Sequence, residues 1–149
     1  MLKDKAFTSI ELVVVLTIIG IIAGMSTHYL REDKLNGATR MVYSDLQLAR
    51  IKAIKEKNKF RVLFNLNGHT YQIHDNNDND YSIDTGEELI DKDIHTNFKG
   101  VLITSFTNPS FNSIGSSNAG RITLTEDNRS KYIIFSSTGR IRIGDVPPL

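Results

Sequence analysis

Residues 7–25 read FTSIELVVVLTIIGIIAGM, an apolar stretch that contains one charged side chain, Glu11. As an α-helix, these 19 residues would extend about 28 Å, which matches the roughly 30 Å hydrocarbon core of a bilayer. Lys3 and Lys5 precede the stretch, and positive charge favours the cytoplasmic side of a membrane span. The sequence therefore predicts one membrane-crossing helix over residues 7–25, with the remainder of the chain exported.

A small residue, Ala6, lies directly before the apolar stretch. In a secretory signal peptide the cleavage site follows the apolar stretch, which is then discarded. Cleavage after Ala6 would instead remove residues 1–6 as a leader and keep the helix on the mature protein. The formal charge would fall from +1 to 0, because the leader holds two Lys and one Asp. A neutral chain is not a general binder of polyanions.

Glu11 is the anomaly in the stretch, because a lone carboxylate in an apolar span is costly unless it finds a partner. Two interpretations remain open from the residues alone. In one, Glu11 lies near the membrane interface and has no particular role. In the other, it pairs with the amino terminus that cleavage exposes at Phe7, on this chain or on a neighbouring copy.

The start of the chain resembles a known family of processed membrane proteins. Residues 5–12, KAFTSIEL, followed by an aliphatic run, resemble the class III leader of type IV pilins and type II secretion pseudopilins. The resemblance implies that prepilin peptidase cuts between Ala6 and Phe7 and N-methylates Phe7. It also implies that Glu11 neutralises a neighbouring amino terminus during filament assembly. Ala6 and Ser9 depart from the family's usual Gly and Leu at those positions.

After Met25 the chain becomes amphipathic. Apolar residues recur at spacings of three and four, the pattern of a helix with one buried stripe. They are Leu35, Ala38, Val42, Leu46, Ala49 and Ala53. Leu48 and Ile51 fall outside the stripe, where they would meet neighbouring subunits or other parts of the domain. No proline interrupts Phe7–Asn58, so the sequence predicts one continuous helix of roughly 50 residues.

The rest of the chain is predicted to form β-structure. Apolar residues alternate from Phe60 to Leu66, Asn67-Gly68 supplies a tight turn, and Tyr71 and Ile73 lie on the return strand. Further strands are predicted at Val101–Phe106, Arg121–Thr125, Lys131–Ser136 and Arg140–Ile143. The predicted fold class is α+β: a long N-terminal helix, membrane-spanning and then amphipathic, packed on antiparallel β-sheet. Residues 26–149 form the exported globular domain.

Three further segments resemble the GspH/FimT group of minor pilins and pseudopilins. They are Leu48–Lys55, Asp75–Ile90 and Ile133–Arg142. The resemblance implies a structural, non-enzymatic subunit with a single pass through the inner membrane and a periplasmic domain. Its partners would be other pilins or pseudopilins, prepilin peptidase and the membrane. Its place would be near the filament tip, in either a secretion pseudopilus or a type IV pilus.

Gly139-Arg140-Ile141-Arg142 is a candidate DNA-binding site. On a strand, Arg140 and Arg142 would project from one face, and guanidinium groups bind phosphates in a bidentate geometry. Some FimT-like minor pilins use such a motif to bind incoming DNA, which makes a DNA-uptake receptor the alternative function. Arg121, Arg129 and Lys131 would extend the patch. The competing interpretation is that these residues solvate an edge strand or pair with an acidic loop of a neighbouring subunit.

Charges are segregated along the chain. Residues 31–61 hold nine basic and four acidic residues, whereas residues 75–93 hold eight acidic and one basic. Charged faces often serve only solubility, but such segregation could also orient subunits head to side in an assembly.

No other chemistry is predicted. Residues 75–80, DNNDND, carry oxygen ligands suited to calcium, but they fail the EF-hand pattern because Asp80 and Gly86 occupy its Gly and Glu positions. The chain has no cysteine, which excludes thiolate chemistry. The four histidines, His28, His69, His74 and His95, show no metal-ligand spacing. We therefore predict no metal, no cofactor and no enzymatic activity.

Overall fold

The computed structural model describes residues 8–29, 33–76 and 89–147. The chain divides into two compact units, Met1–Asp33 and Lys34–Leu149.

The first unit contains helix α1, Ser9–Tyr29. Its large aliphatic side chains between Ile10 and Ile22 are all exposed, from 45% at Val15 to 73% at Ile10. None of the helices in the described ranges has the combined length and apolar character that crossing a bilayer requires.

The prediction of one continuous helix from Phe7 to Asn58 is wrong at Asp33. α1 ends at Tyr29, Asp33 is not helical, and helix α2 spans Lys34–Glu56. Asp is favoured immediately before a helix, because its side chain can accept hydrogen bonds from the first backbone amides. The prediction rested on the absence of proline, and it therefore overlooked a residue that favours the start of a new helix. α2 ends where Lys57 takes the left-handed conformation, with φ 55°.

In the described part of the second unit, the strands form two antiparallel sheets of four strands each. Sheet A has the order β3-β2-β1-β5, with strands β1 Phe60–Asn65, β2 Thr70–Asp75, β3 Leu89–Asp93 and β5 Ser110–Phe111. Sheet B has the order β4-β6-β7-β8, with strands β4 Leu102–Phe106, β6 Gly120–Glu126, β7 Arg129–Phe135 and β8 Ile141–Gly144. A short helix, α3 Ile94–Asn97, follows β3. The α+β fold class with antiparallel sheets is confirmed.

Helix α2 packs against both sheets and forms the centre of the domain. All six residues of the predicted stripe are buried, together with Thr39, whose hydroxyl donates to the Leu35 carbonyl at 2.6 Å. The opposing side chains come from both sheets, among them Phe60, Ile122 and Phe135. Burying one Leu or Val side chain contributes about 1.5–3 kcal/mol, so this stripe is the main term that holds the domain together.

A polar contact ties α2 to sheet A at the edge of this core. The Tyr71 hydroxyl donates to Asp45 Oδ2 at 2.5 Å. Burial, together with this bond to a carboxylate, raises the pKa of Tyr71 far above its ordinary value. The Tyr71 ring stacks on Phe64 with a centroid distance of 5.2 Å.

The predicted strands are confirmed to within one or two residues at their ends. The turn predicted at Asn67-Gly68 lies in a longer loop, since the β1–β2 register closes at Asn65↔Thr70 and leaves residues 66–69 unpaired. The prediction missed β3, α3 and β5, which are short elements without a clear alternation.

Candidate functional site

The predicted processing and assembly residues lie at the start of the chain. Ala6 and Phe7 fall outside the described residues, whereas Glu11 lies in the first turn of α1. Glu11 Oε2 accepts hydrogen bonds from the Thr8 backbone N–H and from the Thr8 hydroxyl, both at 3.1 Å. In return, the Glu11 N–H donates to Thr8 Oγ1 at 3.3 Å. These reciprocal bonds form a capping box.

The role of Thr8 was absent from the sequence prediction, although a signal for it exists. Thr8-Ser-Ile-Glu11 matches the S/T-x-x-E pattern of a capping box that precedes an apolar run. Glu11 therefore has a partner within its own chain, through one of its two oxygens. Among the described residues, we find no hydrogen bond to Glu11 Oε1, so this oxygen can accept a further donor.

Three of the predicted DNA-binding arginines share one face of sheet B. The strand register places Arg142 opposite Ile134, and Ile134 opposite Arg121. These residues form one row across three strands, so the two arginines stand about 10 Å apart on either side of Ile134. Arg140 lies two residues before Arg142 and follows the same alternation. All three arginines are exposed on the face that points away from α2.

The next row on this face supplies an aromatic side chain. Tyr132 pairs with Gly144 on one side and with Thr123 on the other. Both rows lie entirely within described residues and contain no carboxylate. We call this surface, defined by Arg121, Arg140, Arg142, Ile134 and Tyr132, the arginine face.

The structure does not bring Arg129 and Lys131 to the arginine face. Both are an even number of residues from the buried Ile133 and Phe135 and share their face of β7, which is opposite to the arginine face. Arg129 forms an ion pair with Glu126 at 2.6 Å, and Lys131 forms one with Asp145. The sequence held a signal for this: Arg129 and Lys131 are spaced by two from apolar residues of their own strand, so they could have been assigned to its buried face. The position of Arg121 beside Arg142 depends on how the strands pair.

A glycine turn sets the position of Arg140. Gly139 has φ +77°, and a β-carbon there would lie 1.8 Å from the Gly115 carbonyl oxygen. Only glycine fits this position, because both the backbone conformation and the close approach exclude a side chain. The Arg50 Nε donates to the same carbonyl at 3.0 Å, which joins the turn to α2.

A shallow depression of about 410 Å³ lies beside the turn. It is lined by Ile134, Ser136, Thr138, Arg140 and Arg142. The Ser136 and Thr138 hydroxyls hydrogen-bond to each other at 2.8 Å, so the two guanidinium groups are the main donors in this depression. Guanidinium donors suit an anion such as a phosphate.

Most of the candidate calcium segment lies outside the described residues. Asp75 and Asn76 are described, whereas the remaining residues of that segment, 77–80, lie outside the described residues. The Asp75 carboxylate accepts a hydrogen bond from Asn58 at 3.5 Å. Within the described parts of the chain, no cluster of three or more His, Asp or Glu side chains is arranged to hold a metal.

Two histidines that are distant in sequence come together. The rings of His69 and His95 stack with a centroid distance of 4.9 Å, and His69 Nδ1 accepts the Ile103 N–H at 3.2 Å. Burial and the neighbouring His95 lower the pKa of His69, although Asp93 opposes this shift. Asp93 caps α3, and the Thr96 hydroxyl bond lowers the pKa of its carboxyl. Because His69 Nδ1 accepts a hydrogen bond from a backbone N–H, the neutral ring carries its proton on Nε2. Neither ring nitrogen then has a free lone pair for a metal ion.

Comparisons with known proteins identify the family. A family profile described as type II transport protein GspH matches residues 38–139. A comparison with curated protein sequences finds no match.

Two solved structures share the fold. The minor pseudopilin EpsH from the type 2 secretion system of Vibrio cholerae has a TM-score of 0.60 at 13% identity, over 76% of this chain and 98% of that one. The type IV minor pilin FimU of Pseudomonas aeruginosa has a TM-score of 0.58 at 13% identity, over 78% of this chain and 92% of that one. Since the profile covers most of the chain, the protein belongs to the GspH family of pilin-like structural subunits.

Proposed function

We propose that this protein is a minor pilin or pseudopilin that is cleaved between Ala6 and Phe7, N-methylated at Phe7 and held in the inner membrane until it joins a filament. The observation that carries the proposal is the exposure of α1. Every described large aliphatic side chain of this helix is exposed, although it lies in a chain whose other helix buries a complete stripe.

The apolar surface of α1 requires a cover. Apolar area in water costs about 25 cal/mol per Å², and α1 presents such area all round its circumference. A bilayer supplies that cover before assembly, and the apolar helices of neighbouring subunits supply it in a filament core. The folded domain from Lys34 onward then faces outward.

Glu11 directs this assembly in the proposal. The capping box occupies Oε2, and Oε1 accepts the methylated amine of Phe7 from a neighbouring subunit. In an apolar environment an ion pair with good geometry is favoured over an isolated carboxylate. The pair therefore sets the axial register between adjacent α1 helices.

Mass spectrometry of the membrane-extracted protein tests the processing step. We expect the mass of residues 7–149 plus one methyl group when prepilin peptidase is present, and the full-length mass when it is absent. Ala6→Gly should be processed normally, and Ala6→Arg should remain intact. An unprocessed wild-type chain, or one trimmed beyond Met25, would contradict the proposal.

Glu11→Gln tests the assembly step separately from processing. This variant keeps a hydrogen-bond acceptor for the capping box but loses the charge. We expect normal cleavage and membrane localisation with at least a severalfold loss of the protein from sheared filaments. Thr8→Val is the matched control, because it removes the cap while leaving the Glu11 charge in place.

The arginine face favours a second function, DNA binding during uptake. Arg121, Arg140 and Arg142 lie around Ile134, next to Tyr132, and the two rows of described residues that hold Ile134 and Tyr132 contain no carboxylate. Phosphate contacts from arginine and a stacking surface from an aromatic ring together suit a nucleic-acid strand. The mature chain has no net charge, so binding would depend on this local surface and not on overall charge.

Binding of a fluorescent DNA fragment to the full chain in detergent micelles tests this function. We expect Arg140→Ala combined with Arg142→Ala to abolish measurable binding, and Arg121→Ala to weaken it. The slope of log affinity against log salt concentration should also become shallower, by about 0.7–0.9 for each phosphate contact that is lost. Arg129→Ala and Lys131→Ala are matched charge controls on the opposite side of β7, and they should leave binding unchanged. If all five substitutions act alike, the arginine face is not a specific site.

A further inference from the structure

The second unit carries an exposed apolar surface on the outer side of its central helix. Leu48, Ile51 and Ile54 on α2 and Ile114 in the loop after β5 are 39%, 59%, 45% and 78% exposed. The three helix residues are spaced three apart, so they form a continuous ridge along the side of α2 that faces away from its buried stripe. We call these four residues the isoleucine patch.

The loop that presents Ile114 is held by several contacts. Asn112 Oδ1 accepts the backbone N–H of Ile114 at 3.2 Å and that of Ser116 at 3.0 Å. Gly115 has φ +79°, and a β-carbon there would lie 2.7 Å from Ile54 Cδ1, so the loop packs directly against α2. Because the loop is already ordered, binding through Ile114 would cost little conformational entropy, which favours a contact surface over a solvated loop tip.

The charged residues on this side of α2 are basic. At about 100° of rotation per residue, Arg40 and Lys55 point in the same general direction as the ridge, and both are exposed. Arg40 precedes the ridge and Lys55 follows it, about 22 Å further along the helix axis. The two acidic residues of α2, Asp45 and Glu56, are turned by about 120° or more from Ile51. The outer side of α2 is therefore an apolar ridge with a positive charge at each end.

This charge pattern disfavours a second copy of the chain as the occupant of the patch. If two patches met with their helices antiparallel, Arg40 of one copy would lie against Lys55 of the other. Parallel helices would place each of these charges against its own duplicate. Both arrangements bring like charges together, which costs binding free energy.

An amphipathic helix is the kind of partner that the ridge fits. Residues spaced three apart form a ridge that packs into the grooves between the side chains of a second helix. A helix with a carboxylate at each end of its apolar side would match both the ridge and its two charges. A lipid surface suits α2 less well. A helix that lies in a membrane interface is apolar along one whole side, whereas the outer side of α2 is polar at Arg40, Ser44 and Gln47.

We propose that the isoleucine patch binds an amphipathic helix of a different pilin-like subunit, whose apolar side carries Asp or Glu at its ends. The inference rests on the proposed assembly function and names the surface through which this chain joins another kind of subunit. A patch that accepts an unlike neighbour and rejects its own copy is suited to a subunit that occupies one place in an assembly built mainly of other chains.

Photochemical cross-linking at the patch tests the contact in the full chain. Because the natural sequence has no cysteine, Ile51→Cys supplies a single attachment point. The tagged variant is labelled in spheroplasts of its native cells with a benzophenone maleimide, irradiated and purified through its tag, and the cross-linked peptides are sequenced by mass spectrometry. We expect an adduct with a helical segment of a different protein that begins with a pilin-type leader. Asp or Glu should flank the apolar residues of that segment. Asn128→Cys, at an exposed position in the β6–β7 turn, is the control and should not form this adduct.

Charge reversal tests the role of electrostatics. Lys55→Glu in the Ile51→Cys chain should reduce the yield of the adduct about tenfold, equivalent to about 1.4 kcal/mol, whereas Lys55→Arg should preserve the yield. Arg121→Glu makes the same change of net charge on the arginine face and should leave the yield unchanged. Equal yields from Lys55→Glu and Lys55→Arg would overturn the proposed charge complementarity.

Four outcomes would overturn the inference as a whole. They are an adduct confined to a second copy of the chain, one confined to lipid, one confined to a non-helical segment or to a protein without a pilin-type leader, and no adduct from a chain whose mass shows that it carries the label. The mass of the amino terminus is measured in the same sample. A processed and methylated chain without the expected adduct refutes this contact alone, whereas an unprocessed chain refutes the proposed function.

Discussion

α1 and α2 have nearly the same length, 21 and 23 residues, yet the apolar side chains of one are exposed and those of the other are largely buried. α1 exposes its large aliphatic side chains on all sides, whereas α2 buries seven residues along one stripe. α2 is therefore a structural helix that folds its own domain. α1 keeps its large aliphatic side chains exposed, so it is suited to burial against surfaces outside the chain. In the proposed function, α2 serves folding and α1 serves assembly.

Leu46→Ala and Leu16→Ala test this division most directly. Leu46 is fully buried against the sheets, so its truncation should destabilise the second unit by about 2–5 kcal/mol. Leu16→Ala, in α1, should leave the unfolding of that unit unchanged. Denaturant unfolding of the detergent-solubilised full chain, followed by the tyrosine near-ultraviolet signal, measures both variants. Equal effects would show that the two helices do not have separate roles.

Gly139→Ala should produce the next largest effect. Keeping the backbone at φ +77° would cost the alanine about 1–3 kcal/mol, and the contact of the new methyl group with the Gly115 carbonyl would add to that cost. Gly100→Ala is the matched control, since Gly100 also has a positive φ, of +99°, but nothing lies within 4 Å of the added methyl. The difference between the two variants in the same unfolding assay isolates the contact that supports the arginine face. No difference would mean that the turn is not packed against the loop.

Tyr71→Phe, which changes a contact of α2, should lower the unfolding free energy by less than Gly139→Ala does. It removes the bond to Asp45 while keeping the ring on Phe64, and the half-buried carboxylate then loses its partner. We expect a loss of about 1–2 kcal/mol in unfolding free energy. Asp45→Asn alone should cost less than Tyr71→Phe, because its amide oxygen can still accept the Tyr71 hydroxyl, although as a weaker acceptor than a carboxylate. An unchanged unfolding free energy would show that this hydrogen bond does not stabilise the packing of α2 on sheet A.

The pH dependence that arises from His69 should be the smallest effect, and it is independent of both helices. The folded state lowers the pKa of His69 below its ordinary value of 6.5, so the unfolded state binds the proton more readily. Its contribution to stability is therefore complete above pH 6.5 and is lost as the pH falls through the lowered folded value. Protonation at Nδ1 would also break the bond from Ile103.

His69→Asn is suited to test this dependence, since Asn tolerates the φ of 50° at that position. The variant should flatten the slope of unfolding free energy against pH below 6.5. A slope equal to that of the wild-type protein would assign the pH dependence to other groups.

Periodicity predicted the parts of the fold in which one repeated pattern dominates. The stripe from Leu35 to Ala53 is buried at every predicted position. In the β1–β2 hairpin the predicted apolar residues up to Phe64 and on the return strand are buried, whereas Leu66 lies beyond β1 and is exposed. β3 and β5 escaped prediction because their pairing partners, and not their own residues, make them strands. The division at Asp33 escaped because the prediction considered only helix-breaking residues, whereas the residue at the break is Asp, a type favoured immediately before a helix.

The candidate site was only partly predictable for a related reason. The shared direction of Arg140 and Arg142 follows from their spacing of two, but Arg121 joins them through a register that depends on the paired strands. Glu11 was singled out for its charge, whereas the bonds to Thr8 follow from a four-residue pattern at the start of the helix. Local spacing therefore predicted which residues share a strand face, and tertiary pairing decided which faces meet.

The turn at Gly139 has a mechanical consequence. The Gly115 carbonyl lies against Gly139 on one side and accepts the Arg50 guanidinium on the other, so Arg140 is separated from α2 by only two contacts. Tension applied to a molecule gripped by Arg140 would therefore pass into the helix at the centre of the domain, and not into a loosely attached loop. If the arginine face binds DNA as proposed, a pull on that DNA would load the core helix α2 directly through Gly115 and Arg50.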